Sequence, residues 1–305
     1  MSDYVKKRID YINKWPNIVP FEAEINYKKR CDQFTDTNNR HPFTLIKMWE
    51  DNDDHYNRTI SHFIDSLDVM PLHPNFAFSF VFSALDFYSK SVYSNSNITI
   101  CFKTLAEDVS DLADHDTNIN DLLKLLFTVI PVSSTMYLYK CLCGLKPENK
   151  AYNRVTTNVD NRDNIARKNL VDSIYTKYGD NTANRNPALL YRKVFINNSI
   201  SVNGTTFNNT NSARLHLLIS GIIYSLRNDS LHGSSMSSTK SSQTTTKRYA
   251  LNYYCYLATY TLLMILLIKY SSMSFSDKIA KYAELKDVTT MNVNDFRNLF
   301  GNHIQ

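Results

Sequence analysis

Asn75-Phe76-Ala77-Phe78-Ser79-Phe80-Val81-Phe82-Ser83-Ala84-Leu85-Asp86-Phe87-Tyr88 is the stretch on which the fold class turns. Its opening alternates Phe with other residues, as a half-buried strand would. Read further, Val81, Leu85, Tyr88 and Val92 fall on one stripe at helical spacing, with Phe80, Ala84 and Phe87 on another. The run is also too long for an ordinary strand. A buried helix over this stretch is therefore expected.

Its neighbours read the same way. Asp3 to Lys14 has the pattern of a short amphipathic helix stopped by Trp15-Pro16, and Glu22 to Phe34 and Phe43 to Met70 carry helical periodicity, the latter ended by Pro71 and Pro74. Asn120 to Val129 and Ser133 to Cys143 are two more helices, parted by Pro131 and ended near Gly144. From about 146 to 210 the composition shifts toward Asn, Asp and Thr. There Asp160 to Tyr178 reads as a helix with Gly179 as its stop, and Ile200 to Phe207 has the Asn203-Gly204 signature of a hairpin. Ala213 to Leu231 places Leu215, Leu218, Ile219, Ile222 and Leu226 on one helical face. The polar loop from Gly233 to Thr246 is expected to be disordered, and the tail from Ser271 to hold one or two short helices. With 6 Gly and 8 Pro in 305 residues, the tight turns of an all-β fold are missing.

Tyr249 to Ile268 is 20 residues without a formal charge, flanked by Arg248 and Lys269, and is long enough to cross a bilayer. Its first half is polar-aromatic (Asn252, Tyr253, Tyr254, Tyr256, Tyr260), so a helix buried in a bundle is expected rather than a membrane anchor. No apolar leader follows Met1. The five cysteines are odd in number and irregular in spacing, which argues against a disulfide framework, and Cys141-Leu142-Cys143 is too tight for a metal knuckle. A reducing, cytoplasmic compartment fits. The net charge of +5 permits a polyanionic partner without demanding one.

The chemistry-bearing stretch is Gly221-Ile222-Ile223-Tyr224-Ser225-Leu226-Arg227-Asn228-Asp229-Ser230-Leu231-His232-Gly233. An apolar helix delivers an Arg, then an Asn, then a His followed by Gly. This resembles the R-x4-6-H motif of the HEPN superfamily, especially its abortive-infection type members, in which a polar residue follows the Arg. The resemblance covers the motif, the helices around it and the Phe76 to Val92 helix. It implies an all-α HEPN-like helical bundle over 71–270; the residues themselves read as an Asn-rich insert in that core at about 146–210, an N-terminal helical extension over 1–70 and a C-terminal helical tail over 271–305.

The resemblance also implies a metal-independent, cofactor-free endoribonuclease acting as a toxin or antiphage effector. RNA would be the substrate. A homodimer or a second HEPN chain would complete the cleft, and an antitoxin or regulatory partner would restrain it. The chemistry suits the residue types. A ribose 2′-hydroxyl attacking its own phosphate needs a proton acceptor near neutral pKa, which an imidazole supplies. The phosphate gathers negative charge, which a guanidinium stabilises. Arg227 would hold the phosphate, His232 would move the proton and Asn228 would orient one of them. Asp86, an acid set among apolar residues, is a supporting candidate expected to meet Arg227 or His232, or else solvent. On a regular helix, residues five apart point about 140° away from each other, so the helix must loosen for the pair to converge.

The same spacing recurs in Arg297-Asn298-Leu299-Phe300-Gly301-Asn302-His303, where Gly301 breaks the helix before the His and the chain ends two residues later. Arg58 and His62, four apart, are expected to be neighbours on a solvated face. No phosphate-cradling Gly loop, nucleophile elbow or metal triad is present. The competing readings are a non-catalytic HEPN-like module that binds RNA or protein, and a membrane-associated protein.

Overall fold

The computed structural model describes residues 3–14, 17–143, 149–157, 164–181, 185–231 and 239–305. In chain order these form α1 (Asp3–Asn13), α2 (Glu22–Asn38), α3 (Asp54–Val69), α4 (Pro74–Val92), α5 (Ile98–His115), α6 (Thr117–Thr128) and α7 (Val132–Leu142). Next come α8 (Lys150–Thr156), α9 (Asn164–Tyr178), α10 (Arg185–Ile196) and a hairpin of β1 (Ser199–Val202) and β2 (Thr205–Asn208). The chain continues as α11 (Asn211–His216), a π-helical segment (Leu217–Ile223), α12 (Tyr224–Leu231), α13 (Thr246–Tyr270) and α14 (Phe275–Phe300). The described residues are all-α apart from that antiparallel hairpin, whose Asn203-Gly204 turn takes positive φ at both residues.

The stretch that reads two ways is helical. α4 starts at Pro74, where a missing N–H costs nothing, and buries Val81, Leu85 and Tyr88. The second stripe is only partly covered: Ala84 is buried, while Phe80 is 36% exposed. α4 lies between α3 and α13. α13 is the central helix, with every residue from Tyr249 to Ile268 buried against α4, α14, α7 and α2. By itself it is long and apolar enough to cross a membrane, but its apolar window is wholly enclosed by the bundle. Some of its tyrosines are paired at the tip: the Tyr260 hydroxyl accepts from the Ile46 N–H at 2.9 Å, and the Tyr253 hydroxyl donates to the Pro42 carbonyl. Such paired hydroxyls make a Tyr-rich core helix tolerable.

Several expectations need correcting. Phe43 to Asp53 is extended, not helical, and the helix begins only at Asp54, where the Asp53 carboxylate accepts from the His55 N–H at 3.0 Å. The extended stretch is held by side chains of α13 and α14. Asn292 both accepts from the Thr44 N–H (2.7 Å) and donates to the Thr44 carbonyl (2.9 Å), and Glu284 accepts from the Lys47 N–H (2.8 Å). Those bonds replace the helical ladder. The tail is one 26-residue helix, α14, rather than short pieces. It is anchored by a bidentate pair of Arg40 and Asp295 at 2.7 Å, with the Asp295 side chain 3% exposed.

No element is expected over Ile98–His115, yet α5 forms there, capped by Asn97 and burying Cys101, Phe102, Leu105 and Val109 at helical spacing. The insert is packed. α8 and α9 lie against each other, α8 also against the π segment, and α10 against α7. α9 starts at Asn164, and residues 160–163 lie outside the described residues; Gly179 follows it with φ +66°. Of the polar loop, residues 232–238 lie outside the described residues. Thr239 and Lys240 are docked, the first on Asn75 at 3.0 Å and the second in an ion pair with Glu24. One hydrophobic core runs through 1–70, 71–270 and 271–305 alike, from Ala23 to Ile304.

Candidate active site

Residues 211–231 make one helical rod with a wide turn in its middle. All seven residues of the π segment are buried, and Gly221 is where the rod touches α7. A Cβ there would lie 2.5 Å from Leu138 Cδ1 and 3.2 Å from Val155 Cγ2, so a larger residue would push the rod off its neighbours. π turns inside a helix are frequent at functional sites, and this one re-aims the residues that follow it.

Those residues are the ones with chemistry. Arg227 is half-buried; its guanidinium lies 5.3 Å from the centre of the Phe82 ring of α4, and its Nη1 donates to Asn228 Oδ1 at 3.2 Å. Among the described residues no carboxylate forms an ion pair with it. Asp229 accepts from the Tyr137 hydroxyl at 2.8 Å, and the Ser225 hydroxyl accepts from Arg154 Nη2 at 2.7 Å. Arg154 also donates to the Ser220 carbonyl at 3.4 Å and stands 4.6 Å from the centre of the Tyr224 ring. A second guanidinium thus braces the helix that carries Arg227. It comes from α8 in the insert, a connection that no local spacing announces. Cys141, beside Tyr137 and Ser225, is no nucleophile at neutral pH, because burial pushes its thiol up to about 11.

His232 lies outside the described residues. Asp86 does not reach Arg227 as expected: its carboxylate pairs with Lys90, one turn along its own helix, at 2.8 Å. An acid with a cation four residues ahead on the same helix has a partner at hand and need not cross the bundle.

The second copy of the spacing is dispersed. Gly301 ends α14 with φ +46°, as its sequence position implies. Arg297 is exposed and donates to the Thr128 hydroxyl at 3.1 Å, while His303 meets Arg30 Nη2 through Nε2 at 3.1 Å. Arg58 and His62 are both exposed.

A further polar cluster went unseen in the sequence because its members come from α5, α9 and α11. His216 is fully buried and bonds Glu107 Oε1 through Nε2 at 2.7 Å, and Ser212 donates to the same oxygen at 3.1 Å. Burial, with Arg167 and Lys103 nearby, holds the His216 pKa below its ordinary value. Burial acts to raise Glu107, but the bond and charge of His216 and the Ser212 hydroxyl outweigh it and hold the carboxyl low. The result is a neutral imidazole donating to a carboxylate inside the fold. All five cysteines are free thiols. Against known proteins, no family model, no curated sequence and no solved structure matches this chain.

Proposed function

We propose that this chain is a metal-independent endoribonuclease of HEPN type, with Arg227 and His232 as its chemical pair and Asn228 as an orienting residue. The observation that supports the reading is the state of Arg227. A half-buried guanidinium, seated on Phe82 and Asn228 with no carboxylate in an ion pair with it among the described residues, keeps its charge for an external anion. It stands on the helix that leads directly to His232.

In the reaction, Arg227 donates to the non-bridging oxygens of one phosphodiester. The 2′-hydroxyl loses its proton to His232 and attacks the adjacent phosphorus, the bond to the 5′-oxygen breaks, that oxygen takes a proton from water as it leaves, and the imidazolium of His232 returns its proton to the hydroxide so formed. The products are a 2′,3′-cyclic phosphate and a 5′-hydroxyl. DNA, lacking the nucleophile, stays intact. A toxin or antiphage role, a homodimer or second HEPN chain completing the cleft, a restraining antitoxin partner and a cytoplasmic setting suited to five free thiols belong to the same proposal.

Incubation with RNA in excess EDTA tests it. Cleavage that survives chelation, leaves cyclic phosphate ends and disappears in Arg227→Ala and His232→Ala is the expected result. RNA left whole under every condition overturns the enzyme and leaves a binding module.

A further inference from the structure

Two grooves run along α2, on the face where α1, the 241–246 segment and the end of α14 meet it. One, of about 870 Å³, is lined by Lys7, Lys14 and Lys247 together with Asp10, Glu22 and a row of hydroxyls, Ser241, Ser242, Thr244 and Thr246 among them. The other, of about 840 Å³, is lined by Lys29, Arg30, Gln33, Asn38 and Asn298. They share Asn26, Thr246 and His303, so they form one channel with its seam at His303. Lys14, Lys29, Arg30 and Lys247 line it with two acids, Asp10 and Glu22, while a fifth cation, Lys7, is paired with Asp3 at 2.9 Å.

The seam is the most unusual part. Arg30 Nη1 donates to the Leu299 carbonyl at 2.9 Å, and its Nη2 lies 3.1 Å from His303 Nε2. A guanidinium can only donate, so His303 accepts through Nε2 and is neutral in this arrangement. Lys247 lies close enough to act on the same imidazole. Among the described residues no ion pair ties Arg30, Lys247, Lys14 or Lys29 to a carboxylate. Other cations of the molecule do hold acid partners: Arg40 has Asp295, Lys269 has Asp108 and Lys240 has Glu24. Two cations, Arg30 and Lys247, beside a neutral imidazole and without an acid in an ion pair with them, form a seat for an anion. On the wall of the first groove Tyr11 and Phe21 stand stacked, 4.9 Å between centroids and 11° between planes, both half-buried with ring surface open to it. Unpaired cations beside an aromatic platform are what a single-stranded phosphodiester chain requires, for its backbone and its bases respectively.

We propose that this channel binds single-stranded nucleic acid, with one phosphate seated between Arg30, Lys247 and His303, and the neighbouring bases directed to Tyr11 and Phe21. The strand is held by its phosphates and ring faces, so binding is indifferent to sequence and sensitive to salt. The inference stands on these residues alone and not on the reading of Arg227.

Fluorescence anisotropy on the full chain tests it, with a labelled single-stranded RNA of about 12 nucleotides, a length within the usual single-strand site range. The RNA is 2′-O-methylated throughout so that no cleavage can intervene. Binding is followed from low to moderate salt, with a duplex of the same length beside it. In Arg30→Gln/Lys247→Gln, affinity is expected to fall roughly tenfold or more, as charge-assisted hydrogen bonds are lost. The slope of log affinity against log salt should shrink by about 0.7, the share of the one phosphate seated there. Native affinity and slope in that variant, with an unchanged circular dichroism spectrum, overturn the proposal. If the double variant fails to fold, Lys14→Glu/Lys29→Glu at exposed positions takes its place, and native binding there overturns it equally. Tighter binding of the duplex also overturns it. Cleavage of unmodified RNA by Arg227→Ala, measured separately, bears on the nuclease reading alone, so either can fall without the other.

Discussion

Arg227-Asn228 and Arg297-Asn298 are the same dipeptide, each followed within six residues by a histidine, yet the fold uses them differently. The first sits after a wide, buried turn that carries its guanidinium onto Phe82, half-sheltered and without an ion-pair partner among the described residues. The second sits on the outer face of a regular helix, where Arg297 reaches Thr128 and Gly301 swings His303 away to a different arginine, Arg30, 273 residues distant in sequence. Spacing alone therefore does not decide which cation meets which imidazole. The path of the backbone between them, and what packs against it, does.

If that contrast is sound, Arg227→Ala should cost RNA cleavage on the order of 10²–10³-fold, the usual loss when a transition-state donor is removed. Arg297→Ala should leave the rate unchanged. Equal losses in initial-rate assays would erase the distinction.

The second copy is read as lying on a structural helix, and α14 owes its seat partly to Asp295. Arg40→Ala strands that buried carboxylate and should destabilise the protein by about 3 kcal/mol, the low end for a broken buried pair because Arg40 itself is 41% exposed and solvent screens it. Urea unfolding measures this, and a midpoint equal to wild type would contradict it.

Gly221→Ala probes the wide turn. A helix-propensity gain of about 1 kcal/mol opposes an overpacking cost of about 1–3 kcal/mol against Leu138 and Val155. A net loss of stability of about 1 kcal/mol is expected in urea, with a larger loss of cleavage if the turn aims Arg227. A stabilised, fully active variant would show that the turn is incidental.

His216 belongs to neither copy and gives the smallest signal. Its folded pKa lies below its ordinary value of 6.5, chiefly through burial. The folded state therefore favours the neutral ring. Its contribution is complete above the unfolded pKa and is lost as pH falls toward the folded one. Unfolding midpoints should drop between pH 7.5 and 5.5, by no more than about 1.4 kcal/mol per pH unit for one proton. In His216→Gln that dependence should flatten.

The elements legible in the sequence were those whose signal is local. The periodicity of Val81, Leu85 and Tyr88, the uncharged run from Tyr249 to Ile268, the Asn203-Gly204 turn and the stop at Gly301 each reappear in the fold. Phe43 to Asp53 misled because its apolar residues face α13 and α14 from an extended chain whose hydrogen bonds come from Asn292, Glu284 and Tyr260, side chains more than 200 residues away. α5 carries a plain local pattern, with Asn97 as cap and Cys101, Phe102 and Leu105 buried at helical spacing, and could have been found.

By itself the sequence determined the helical class, the buried central helix and the pair of Arg–Asn–His spacings, because caps, turns and side-chain periodicity act over a few residues. Tertiary structure alone decided that Arg154 braces the helix of Arg227, that His216 meets Glu107 and that Arg30 meets His303. Charge pairing depends on distance in space, and only the packed bundle fixes that distance between residues far apart along the chain.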